Sequence, residues 1–177
     1  MAVNDPKTIF QTSLTETVAS GYTTDPEQVG TIRHGLEGKI YRWVKNTHSA
    51  ALVVGDVVFH DGATDTTTMY QNVEDGATAA LMFMAGVALS AIPSGGLGWI
   101  QIDGLNAAVN HLGPTAGGTD VAIGDSLIGV NGQTYTTRST AVGTAPVYTK
   151  TILALETVAS VATPAAATIA GLVKCFS

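Results

Sequence analysis

The stretch from Ala85 to Gly104 most limits what this chain can become, because it reads as strand, turn, strand. Val87, Leu89 and Ile92 form an apolar run, Pro93-Ser94-Gly95-Gly96 breaks it, and Trp99-Ile100-Gln101-Ile102 restarts it before an Asp103-Gly104 turn. A matching phrase lies on either side. Val54-Gly55-Asp56-Val57-Val58-Phe59 runs into Asp61-Gly62, and Ile123-Gly124-Asp125-Ser126-Leu127-Ile128 runs into Asn131-Gly132. In both, a Gly-Asp corner feeds a short strand that closes on a turn. Glycine can take a positive φ there, and the aspartate can bond neighbouring amides to fix the bend. Short β units in series predict an all-β fold, a small β-barrel, a β-tulip-like domain or a sandwich.

The rest of the chain is consistent with one β domain and an arm. Residues 1–38 hold only isolated apolar residues such as Ile9, Phe10, Leu14 and Val18, with no sustained period. They read as an extended N-terminal arm, either a disordered leader or a segment that orders against a neighbouring subunit. From Lys39 the pattern changes, and residues 39–177 form the β domain. Ile40, Arg42 and Val44 share one face of a strand, Tyr41 and Trp43 the other. Further strands are expected at Ala51–Val54, Met69–Val73 and Thr78–Val87. Residues 105–112 read as a short helical turn or an edge strand. Gln133–Arg138 is expected to pair across the Asn131-Gly132 turn. Val147–Glu156 and Thr168–Phe176 are the closing strands, the last with a bulge at Gly171 or cover on both sides. No repeat of fixed period is visible.

Composition narrows the function. Charged residues are 12% of the chain against 45% hydrophobic, with 20 glycines. A free monomer normally has about a quarter or more of its surface charged, so much of this surface is expected to be covered by other subunits. A net charge of -6 with eight scattered Lys and Arg argues against nucleic-acid binding. The N-terminus carries no secretory pattern, and the longest apolar stretch, Ala77–Ile92, is too short and interrupted to span a bilayer. A soluble product made in the cytoplasm is expected. The lone Cys175 excludes an internal disulfide and fits a small buried apolar role.

Catalytic and metal chemistry find little footing. Gly124-Asp125-Ser126-Leu127 spells the phrase that names the GDSL esterases, yet His34, His48, His60 and His111 all precede Ser126. A serine with no base in reach is not activated. The histidines lack metal spacing, and Asp61, Asp65, Glu74 and Asp75 lack the spacing of a dedicated calcium loop. Gly95-Gly96-Leu97-Gly98 opens no helix and has no Lys-Ser/Thr after it, so it is not a phosphate loop. No cofactor, metal or enzyme activity is expected. Trp43 and Trp99 with Tyr41, Tyr70 and Tyr135 read as core or interface packing, or as a carbohydrate platform.

The order of the Trp43-Val44 strand, the Val-x-x-Gly-Asp-Val-Val strand, the Gly86-to-Gly104 unit, the Gly124-Asp125 strand and the Ile152-to-Val173 closure resembles a tailed-bacteriophage capsid decoration, or cement, protein. The resemblance covers residues 39–176. It implies a β-barrel or β-tulip that sits as a homotrimer on the exterior of the virion capsid and clamps neighbouring capsomers, with the major capsid protein as partner and neither nucleic acid nor membrane. It also implies an arm that adds a strand to an exposed edge. On that reading Ile9, Phe10 and Leu14 anchor the arm, and Tyr41 and Trp43 lie at an interface. Other virion parts (a head fibre, a tail or baseplate component, a minor capsid protein) and a glycan-binding β module are the rivals.

Overall fold

A computed structural model of the chain describes residues 12–61, 71–74, 84–112, 120–129, 134, 136–138, 151–159 and 166–175. The fold is all-β and contains a closed five-stranded barrel with further strands outside it. Eleven strands occur among the described residues: β1 Thr17–Val18, β2 Ile32–His34, β3 Ile40–Asn46, β4 Val57–His60, β5 Asn72–Glu74, β6 Met84–Ala88, β7 Leu97–Leu112, β8 Ser126–Gly129, β9 Thr136–Arg138, β10 Thr151–Ala154 and β11 Ala166–Lys174.

The barrel closes in the order β7-β6-β4-β5-β3, with β3 returning to β7 through the register Trp43↔Trp99 and Arg42↔Ile100. The outer strands repeat the pattern. β7 pairs β9 in parallel, β9 pairs β8, β8 pairs β10, β10 pairs β11, and β11 returns to β7. Strand for strand this is the first ring again: β3, β4, β5, β6 and β7 map onto β7, β8, β9, β10 and β11. Even the single parallel step recurs, as β3 beside β5 and as β7 beside β9. The 16-residue β7 is the last strand of one ring and the first of the next.

The two Gly-Asp corners show the repeat at atomic scale. Val53 N–H donates to Asp56 Oδ2 at 2.7 Å, and Ala122 N–H to Asp125 Oδ2 at 2.8 Å. Gly55 N–H reaches Ala88 O at 3.0 Å while Ala88 N–H returns to Asp56 O at 2.9 Å. Gly124 and Ala154 make the same exchange with Asp125, at 2.8 and 2.9 Å. Gly55 and Gly124 carry φ of +86 and +89, a left-handed bend that favours glycine. Paired bridges, Leu52 with Ile92 and Val121 with Val158, close each corner. The corner at Ile92-Pro93-Ser94-Gly95-Gly96 is a third version with glycine in place of the aspartate. Here Asn46, wholly buried, donates its Nδ2 toward Ala50 O, Ile92 O and Pro93 O, and accepts His48 N–H on its Oδ1.

Two expectations are corrected along β7. Asp103-Gly104 is a kink inside a strand, not a turn that ends one. Gly104 has φ of +96, and the register opposite it slips between Ile40 and Tyr41, so β7 carries an extra residue and bends. Residues 105–112 then continue as a strand that pairs β11, neither helical nor at an edge. The bulge expected on the last strand at Gly171 lies on its partner instead: the register shifts between Ile169 and Gly171 because β7 carries the extra residue, between Asn106 and Val109. Ile169, Gly171, Val173 and Cys175 point inward with period two, as a wall strand requires. One apolar core runs through both rings, from Val44, Leu52 and Val57 to Ile152, Ile169 and Val173.

Candidate interaction surface

The part of the arm that the structure describes, from Thr12 onward, lies against the chain's own barrel. Ile9 and Phe10, expected as its anchors, fall outside the described residues. The alternation of β3 explains why the arm has a seat. Val44 points into the barrel, whereas Tyr41 and Trp43 point out and join Leu97 and Trp99 in a second apolar cluster on the outer wall. That cluster needs cover, and Leu14, Val18, Tyr22 and Val29 of the arm supply it, with Leu89 at its margin. β1 seals it by pairing Thr17 with Gly98 and Val18 with Leu97. Gly98 permits the close approach, since a Cβ there would lie 2.6 Å from Ile92 Cγ1 and 3.2 Å from Thr17 Cγ2.

Each indole N–H is met by an arm residue. Trp43 Nε1 donates to Asp25 Oδ1 at 2.9 Å, and Trp99 Nε1 to Thr12 Oγ1 at 2.9 Å. Asp25 also accepts the backbone N–H groups of Glu27, Gln28 and Val29 and so fixes the turn that carries it. Glu27 Oε1 accepts both Thr12 N–H and Thr12 Oγ1, at 2.6 and 2.8 Å, and Arg33 donates to Thr12 O. Asp25, Glu27 and Thr12 escaped the sequence reading. Asp25-Pro26 was the available signal, an aspartate placed to cap a turn whose first residue is proline.

Of the expected contact residues, Tyr41 and Trp43 are therefore covered within the chain, at 7% and 0% exposure, and Leu14 is partly buried on the same cluster. Trp99 is equally closed off, so neither tryptophan presents a ring face on which a sugar could stack. Gly124-Asp125 is a structural corner, and Ser126 opens β8 opposite Leu153. Asp61 is buried and accepts Thr47 Oγ1; Asp65 and Asp75 lie outside the described residues. Among the described residues, no group of three or more His, Cys, Asp or Glu is placed to hold a metal ion. Among the described residues, no helix is long and apolar enough to cross a membrane.

His111 is wholly buried where β7 meets β9. Its Nδ1 lies 3.3 Å from Thr136 Oγ1, whose hydroxyl faces Asn110 O at 3.2 Å. If the threonine donates to the carbonyl, the histidine proton resides on Nδ1. Desolvation lowers the His111 pKa from 6.5, against the opposing pull of a hydrogen bond with the Thr136 backbone.

Among the described residues, several large aliphatic side chains face outward. Leu36 is 88% exposed, Ile123 67%, Val54 57% and Val53 53%. Val54 and Ile123 occupy the same position in equivalent corners, each just before the glycine. Their backbones are tied by the corner hydrogen bonds, so these side chains are held out on firm turns. A groove of about 580 Å³ beside β2 is lined by Leu14, Arg33, His34, Leu36, Lys39 and Tyr41, among others. No protein-family profile and no curated protein sequence matches this chain.

Proposed function

We propose that the chain is a structural component of a tailed-phage virion, a decoration protein that docks on the outside of the mature capsid as a homotrimer and stabilises the shell. The observation that carries this reading is the outward display of Val53, Val54, Ile123 and Leu36 on turns fixed by backbone hydrogen bonds. Apolar side chains held in water on rigid turns are what a binding surface supplies, and the low charge of the chain suits extensive subunit contact. The resemblance in the order of the β units points the same way.

The mechanism is additive binding. A protein that binds the expanded shell better than its alternatives stabilises it by mass action, and three-fold symmetry turns a modest contact into avidity. Purified protein added to capsids that lack it is expected to bind saturably and to raise the temperature at which the shells rupture. In solution, light scattering is expected to give about three times the 18.1 kDa chain mass. Absence of binding at high protein excess, with a monomeric mass, overturns the proposal.

A further inference from the structure

In each ring the first and last strands meet as an antiparallel pair, β3 with β7 and then β7 with β11. The outward side chains of the first pair, Trp43 and Trp99, lie under the arm. On the second pair they are aliphatic. Leu105 on β7 stands opposite Leu172 on β11, and Leu172 opposite Leu153 on β10. Residues directly opposite in a sheet project to the same side, so the three leucines form one row across three strands. Ile152 and Val173, their neighbours in the chain, are wholly buried in the core, which places the row on the outer face.

The row is less covered than the tryptophans. Leu105 is 46% exposed, and Leu155, two residues beyond Leu153 on the same face, is 39% exposed; Leu153 and Leu172 are partly buried. Charge at its two ends is met within the chain. Lys174 binds Asp103, opposite it, at 2.9 Å, and Glu156 accepts the Ala170 N–H at 2.6 Å. A face of this kind selects an aliphatic partner. A second copy of the chain supplies one: its formal charge of -6 repels its like elsewhere, but the leucine row sets no like charges against each other. Three leucines in line also read the same from either end, so identical rows pack on one another about a symmetry axis.

We infer that the row of Leu105, Leu172 and Leu153, on the outer wall of the second ring, is the contact between copies of this chain. The inference rests on the homotrimer of the proposed function and deepens it, because it separates two surfaces. The leucine wall joins the copies, and the corners at Val54 and Ile123 remain for the shell. Removal of aliphatic side chains from water drives the contact, so sulfate strengthens it.

The test uses the full-length protein and light scattering across a dilution series. Leu105→Lys and Leu172→Lys each place a cation at an outward position, and each is expected to raise the dissociation constant between copies at least tenfold, with unchanged circular dichroism showing that the fold survives. Leu172→Lys mixed with Leu172→Glu is expected to regain part of the assembled mass that each loses alone. Val54→Lys is expected to leave the mass unchanged. Leu105→Cys supplies a thiol for maleimide labelling against the buried Cys175, and is expected to react at least tenfold faster once dilution separates the copies. An assembled mass lost in Val54→Lys but kept in Leu105→Lys overturns the inference and leaves the homotrimer standing. So does a Leu105→Cys thiol that is shielded equally in the dissociated chain, because the chain then covers the row itself. A wild-type chain that is monomeric at every concentration overturns the inference and the homotrimer together.

Discussion

Trp43 and Trp99 stand opposite each other in the β3–β7 register, with ring centroids 5.2 Å apart and planes inclined by 59°. That tilted arrangement is favoured for aromatic pairs. Both indole N–H groups are satisfied from the arm, one by Asp25 and one by Thr12. The pair thus reports on whether the arm is seated. Asp25→Ala is expected to cost roughly 1.5–3 kcal/mol, because it removes a charged acceptor from a buried donor. Tryptophan emission should shift to the red and be quenched by acrylamide. Unchanged emission and quenching would mean that the arm is held without this contact.

Gly55 and Gly124 share a backbone conformation but not a neighbourhood. A Cβ on Gly55 would lie 2.6 Å from Ala108 O and 2.9 Å from Asn110 Oδ1, whereas on Gly124 it meets nothing within 4 Å. Gly124→Ala is expected to cost only the strain of a left-handed alanine, about 1 kcal/mol. Gly55→Ala adds a backbone collision and is expected to cost at least twice that by urea denaturation. Equal losses would contradict the packing around Asn110.

These corners also show what the sequence disclosed. Both Gly-Asp phrases, the Pro93-to-Gly96 break and the two faces of β3 were legible, because each depends on residues adjacent in the chain. The duplication was not, since the three corners start at Leu52, Ile92 and Val121, 40 and 29 residues apart, and share only a glycine. The Asp103-Gly104 pair misled for a physical reason. The positive φ that makes a turn also makes a bulge, and the choice rests with the pairing of β7 to β3 and β11, strands distant in the chain. The seat of the arm was hidden likewise, because it joins Thr12 to a tryptophan 87 residues away.

His111 predicts the direction of one pH dependence. The unfolded chain takes up a proton near pH 6.5, while burial holds the folded side chain neutral to lower pH. Between the two pKa values the unfolded state binds more protons, so stability is full above pH 6.5 and falls below it, by at most about 1.4 kcal/mol per pH unit. His111→Gln is expected to flatten that part of the pH profile of chemical denaturation. A slope that persists unchanged in the variant assigns it to another group.

Asn46 bonds three carbonyls and one amide while wholly buried. Asn46→Ala strands those groups and is expected to cost on the order of 3 kcal/mol or more, with the thermal midpoint falling accordingly. A loss below about 1 kcal/mol by calorimetry would show that the Pro93-to-Gly96 corner stands without it.

The long β7 strand decides how this molecule can be divided. Tandem domains joined by a linker can be cut apart, reordered or fused at the join. Here the join is a wall common to both rooms, and no cleavage point leaves two closed barrels. A fragment ending before β7 lacks the strand that closes the first ring, and a fragment starting after it lacks the strand that opens the second. The two rings can be truncated or engineered only as one piece.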